Sequence, residues 1–101
     1  MGYFVYDSGT EVNIDDRLLA HLQVVIIKKL RRNESFAFSW KDPGKAGDGR
    51  STVWCHPRMS IRFKFAGGRP PAINPAWVAD LTASANSGTG LHITPEPPAS
   101  S

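Results

Sequence analysis

The stretch Ile14 to Trp40, IDDRLLAHLQVVIIKKLRRNESFAFSW, changes its period partway along, and that change decides the fold. From Asp16 to Arg32 the apolar residues Leu18, Leu19, Leu22, Val25, Ile26 and Leu30 recur at spacings of three and four, which sets them on one wide face of a helix. Asp15 or Asp16 supplies the capping carboxylate, and Asn33 marks the end. Phe36, Phe38 and Trp40 then alternate with Ala37, Ser39 and Lys41, and a period of two calls for a half-buried strand.

Outward toward the N-terminus, Tyr3 to Tyr6 is aromatic and β-branched, DSGT is a turn, and Glu11 to Ile14 alternates again, so a hairpin precedes the helix. Outward in the other direction, a Gly/Pro loop spans Asp42 to Gly49, followed by strands at Ser51 to His56 and Ile61 to Phe65. The connection Pro57 to Ser60 is too short for a parallel crossover, so these strands are expected to continue an antiparallel meander. Asn74 as cap and Pro75 at the first helical position open a second helix to about Ala85, with Trp77, Leu81 and Val78 inward, before a last strand at Leu91 to Ile93. The order ββαβββαβ predicts an α+β domain over residues 1–94, an antiparallel β-sheet with two helices packed on one face. Residues 95–101, rich in Pro and Ser, are expected to form a disordered tail.

Length and composition narrow the classes. A chain of 101 residues holds one domain, and 41% hydrophobic with 21% charged residues is globular. Twelve Lys and Arg against nine Asp and Glu give a net charge of +3, mildly basic and below the density of a chain built chiefly to neutralise phosphates. Cys55 is the single cysteine, so no intrachain disulfide forms and a reducing compartment is expected. MGYFVYDS lacks the basic start and apolar run of a secretory signal, and Val24 to Ile27 is far short of a membrane span. A cytoplasmic location without membrane association is the expectation.

Catalytic and metal chemistry find little support in the spacing. In KAGDGR, Lys45 lies one residue too far from Asp48 and Gly49 for the K-x-D-G-x-R of a covalent nucleotidyltransferase. The same glycines run into a strand, whereas a phosphate-cradling G-x-x-x-x-G-K-[ST] runs into a helix. Cys55 and His56 are strand neighbours and point to opposite faces, so they do not form a nucleophile and its base. His21 and His92 come from distant elements with no metal-ligand spacing; His21 is expected on a solvated helix stripe with Arg17, Lys28, Arg31 and Arg32, and His92 on an outward strand position. Neither a catalytic residue, a metal nor a cofactor is expected.

Basic and aromatic residues offer more. If Val53 and Cys55 point to the core, Thr52, Trp54 and His56 share the open sheet face with Ser39, Lys41, Arg62 and Lys64; the pattern also permits the opposite phase, with Trp54 buried and only Cys55 facing out. A tryptophan on a cationic sheet suits base stacking with phosphate contact, the physics of single-strand binders. The candidate nucleic-acid contacts are Trp54, Arg62 and Lys64, helped by Arg50, Arg58 and Arg69, with single-stranded nucleic acid as the partner. The other expected partner is a protein, either a second copy or another chain, on an exposed strand edge or on the patch around Trp77 and the Pro-rich segment before it.

Over FVYDSGTEVNIDDRLLAHLQVVIIKKLRRNESFAFSW, GRSTVWCHP and RPPAINPAWVADLTASANSGTGLHITPEP the chain resembles a family of small uncharacterised actinobacterial proteins, and the likeness covers nearly all of it. Members of that family often carry the label ATP-dependent DNA ligase. The resemblance implies a link to DNA metabolism, with this chain as an accessory fragment of a ligase system, while the absent K-x-D-G departs from the enzymes of that name.

Overall fold

The computed structural model describes residues 2–7, 9–41 and 49–98; Lys45 and the loop at 42–48 lie outside the described residues. Eight elements follow one another: β1 (Gly2–Tyr6), β2 (Thr10–Ile14), α1 (Asp16–Arg31), β3 (Phe36–Lys41), β4 (Arg50–Cys55), β5 (Ile61–Lys64), α2 (Pro75–Ala85) and β6 (Leu91–His92). This is the α+β order that the periodicities predict.

Local chemistry sets the helix ends. The Asp15 carboxylate accepts from the Leu18 amide at the start of α1. At its other end Asn33 adopts φ 63°, and the amides of Asn33 and Glu34 bond back to the carbonyls of Leu30 and Lys29. That pair of bonds is a Schellman closure, with Asn in the left-handed position that glycine more often fills. Asn74 caps α2 by accepting from the Ala76 amide, with Pro75 following as its first residue.

The strands do not form one meander. They divide into a sheet of order β2-β1-β5 and a sheet of order β4-β3-β6. β5 leaves β4 and pairs antiparallel with β1, matching Phe4 to Phe63 and Val5 to Arg62. Alternation of Ile61 and Phe63 demands an apolar side for β5 but does not name its neighbour. Pro57 has no amide to extend the β4 ladder, and the turn it starts carries the chain to β1, where the Asp7 amide bonds the Ser60 carbonyl at 2.9 Å. The last strand, β6, runs parallel to β3, with Phe38 opposite Leu91 and Ser39 opposite His92. Gly90, at φ 87°, permits that approach, because a Cβ there would lie 2.6 Å from the Ala37 carbonyl oxygen.

The apolar sides of both sheets share one core. Phe4 of β1 meets Phe38 of β3 edge-on with ring centroids 5.4 Å apart, and Tyr6 meets Trp40 at 6.5 Å. Leu19, Leu22 and Ile26 of α1 and Leu81 of α2 are fully buried around them. Each such side chain contributes about 1.5–3 kcal/mol of burial.

Two expectations about the helices change. His21 is completely buried instead of lying on a solvated stripe. Its Nδ1–H donates to the Arg17 carbonyl at 2.7 Å, its Nε2 accepts from the Asn74 amide at 2.8 Å, and its ring lies 4.5 Å from that of Trp77. Because α2 packs there, α1 is covered on two sides, and Leu19 to Leu22 form an unbroken buried run. Trp77, 6% exposed, belongs to that core and presents no surface patch.

Of the segment after β6, residues 99–101 lie outside the described residues, and the part before them makes side-chain contacts. Trp77 Nε1 donates to the Thr94 carbonyl at 2.9 Å, and Arg17 clamps the Glu96 carboxylate through Nε and Nη2. Asn74 donates to Glu96 and to the Pro97 carbonyl. Residues 94–97 therefore run against the start of both helices. No helix among the described residues is long and apolar enough to cross a membrane.

Candidate nucleic-acid interface

The outward side of the β4-β3-β6 sheet is built in rows. Across β3 and β4, Lys41 stands opposite Arg50, Ser39 opposite Thr52 and Ala37 opposite Trp54. On the other flank of β3, His92 stands opposite Ser39. Since Phe36, Phe38 and Trp40 point inward and are buried, strand alternation sends this second set outward.

Trp54 is 60% exposed, the most exposed of the large hydrophobic side chains among the described residues. Its neighbour across the strand is only Ala37, so one side of the indole has no bulky side chain over it. Four residues along β4, about 13 Å at the strand rise, Arg50 and Lys41 bring two cations onto the same face. Between them the Ser39 and Thr52 hydroxyls bond each other at 2.8 Å. Among the described residues, the outward positions of these three strands carry no carboxylate.

A depression crosses this face, lined by Ser39, Lys41, Arg50, Thr52, His92 and Ile93. The Ser84 hydroxyl accepts from the His92 amide at 2.7 Å and donates to the Gly90 carbonyl, which fixes the short β6 to α2. His92 Nε2–H donates to the Thr89 carbonyl at 3.1 Å, leaving Nδ1 as the acceptor.

Of the six residues expected to bind together, the structure unites Trp54 and Arg50. Arg62 and Lys64 stand on β5, opposite Val5 and Tyr3, on the outward side of the other sheet. The two outward sides look away from a common core, so these cations do not flank the indole. Arg58 lies in the turn after β4, its amide donating to His56 Nδ1 at 3.3 Å. Arg69 belongs to the exposed segment leaving β5, which Asp16 ties to α1 by accepting from the Ala66 and Gly67 amides. Those two bonds, with Gly67 the stronger influence, hold the Asp16 carboxyl below the usual range.

Lys41 and His92 complete the face in place of Arg62 and Lys64. Their strand phase is visible in the sequence, but their company depends on which strands become neighbours.

Cys55, next to Trp54, is fully buried on the inward side. Burial first, and then the charge of Asp7, push its thiol up to about 12, so it stays protonated at neutral pH and is a poor nucleophile. Among the described residues no three His, Cys, Asp or Glu side chains gather in a metal-holding group.

The family described as "Domain of unknown function (DUF7882)" matches residues 1–96, and the chain belongs to it. No curated protein and no solved structure matches the chain.

Proposed function

We propose that this member of the DUF7882 family is a non-catalytic module that takes single-stranded nucleic acid across the outward side of its β4-β3-β6 sheet. The observation that carries the reading is the exposed Trp54 indole on a face whose charges, Lys41 and Arg50, are both positive. A base stacks on the indole, and phosphates farther along the strand meet the two cations. Ser39, Thr52 and His92 supply hydrogen-bonding groups between these ends. Such a site tolerates sequence, because every base has a π-face.

The resemblance to actinobacterial proteins labelled ATP-dependent DNA ligase makes single-stranded DNA the first probe and an accessory role beside a ligase the wider setting. Chemistry of ligation is no part of the proposal, since the sequence lacks K-x-D-G.

Fluorescence provides the test. The chain has three tryptophans, and Trp40 and Trp77 are buried, so a quencher in solution reads mainly Trp54. Titration with an oligothymidylate is expected to protect that indole from acrylamide, with affinity falling as salt rises. An oligonucleotide that leaves Trp54 fully quenchable and shows no anisotropy change at low salt would sink the reading.

A further inference from the structure

A second surface, independent of the Trp54 face, lies along the C-terminal half of α1. Val24 is 39% and Ile27 41% exposed, one turn apart on the side of α1 away from α2. From Ile27 a groove of about 360 Å³ runs between α1 and the β4–β5 turn, its walls including Leu30, Pro57, Met59, Ile61 and Phe63. Beside Val24 and Ile27 a second depression is bordered by Gln23, Lys28, Arg31 and Arg32. The apolar strip is therefore edged by three cations. Among the described residues no carboxylate pairs with any of the three, the ion pairs being Arg17 with Glu96 and Lys29 with Glu34.

Cations in a last helical turn complement the helix dipole. That does not account for two branched apolar side chains left uncovered beside them, continuous with a groove into the β5 side of the core. We infer that this surface docks an acidic amphipathic helix of a partner protein, whose apolar ridge enters the groove over Ile27 and whose carboxylates meet Lys28, Arg31 and Arg32. The charge pattern favours that occupant over a second copy, because a two-fold pairing would press three cations of one chain against three of the other. The groove's concavity favours a narrow ridge over a flat lipid surface.

A short peptide serves as probe: an acetylated helix former with Leu at positions i, i+4 and i+7 and Glu on both flanks, compared with the same peptide carrying Lys for Glu. Amide resonances of the full chain are followed during titration. The Glu peptide is expected to shift Val24, Ile27, Met59 and Phe63 while leaving Thr52 and Trp54 unmoved; the Lys peptide is expected to shift none. Ile27→Asp should weaken the Glu peptide about tenfold or more. Arg31→Glu with Arg32→Glu should reverse the preference, so that the Lys peptide now binds. Since Ile27, Arg31 and Arg32 are exposed, a native spectrum of each variant confirms the fold before titration. Equal binding of both peptides, concentration-dependent dimerisation through Ile27, or the same shifts with phosphatidylserine vesicles or an oligonucleotide but not with the peptide would each overturn the inference.

Discussion

The two outward sheet faces differ more in arrangement than in content. On the β2-β1-β5 face, Glu11 and Arg62 flank Val5, while Asn13 and Lys64 flank Tyr3, so acid, amide and base alternate around two half-buried side chains. On the β4-β3-β6 face the cations Lys41 and Arg50 stand at one end and the open indole of Trp54 at the other, with hydroxyls between. Counting basic residues would rank the faces equal, at two each. The lesson is that a stacking surface is made by what surrounds the cations: Arg62 shares its row with an acid beyond Val5 and Lys64 stands beside Tyr3, whereas an indole facing only an alanine leaves a surface for a ligand.

The most drastic way to break the contrast is to remove the layer that both faces share. Phe38→Ala empties a fully buried site against Phe4 and is expected to lower stability by about 3–5 kcal/mol in denaturant unfolding. Trp54→Ala, at an exposed position, should change stability by less than about 0.5 kcal/mol. In oligothymidylate binding the order reverses. Trp54→Ala should cost about 1–3 kcal/mol of affinity, roughly fivefold to 150-fold, while Tyr3→Ala on the opposite face should leave the dissociation constant unchanged. A loss of equal size at both positions would erase the distinction between the faces.

Charge sharpens the comparison further. For a single strand, each cation that meets a phosphate adds about 0.7 to the slope of log affinity against log salt. Lys41→Ala combined with Arg50→Ala should flatten the slope by about 1.4, whereas Arg62→Ala combined with Lys64→Ala should not alter it.

The smallest effect is acid-dependent. Arg17 first, and then Asn74, draw the Glu96 carboxyl down to about 2 from its ordinary 4.5. Its folded value lies below the unfolded one, so its contribution is complete above about pH 4.5 and fades as pH falls toward 2, where the unfolded chain takes up the proton first. Glu96→Gln should remove that slope. Amide exchange at residues 91–97 should then become faster at neutral pH, with β1, β2 and β5 unaffected.

What the sequence made legible was local. Helix periods, an aspartate cap on α1, the Asn74 cap and the hairpin all depend on residues a few positions apart, and each stands where expected, whereas the alternation of β4 allowed either phase and the packing of Cys55 into the core turns Trp54 outward. What it hid was partnership. Ile61 and Phe63 need an apolar side whether β5 lies beside β4 or beside β1, so alternation could not separate Arg62 and Lys64 from Trp54. His21 shares its angular position on α1 with charged residues, and only the arrival of Trp77 and the Asn74 amide makes that position an interior one. A lone signal was present in the uninterrupted LLAHL, too apolar for a helix covered from one direction only.

The exchange of strands between the sheets governs how the chain can reach this state. β5 returns to β1 only after the β3–β4 hairpin has been spelled out, and β6 returns to β3 only after β5 and α2. Each sheet is thus finished by a strand that comes later than a segment of its counterpart, an interleaving that denies either half an autonomous existence. Folding should be a single concerted event, slow for its size because its decisive closures join distant parts of the chain. Cutting the chain between α1 and β3 should yield fragments that recover structure only when mixed.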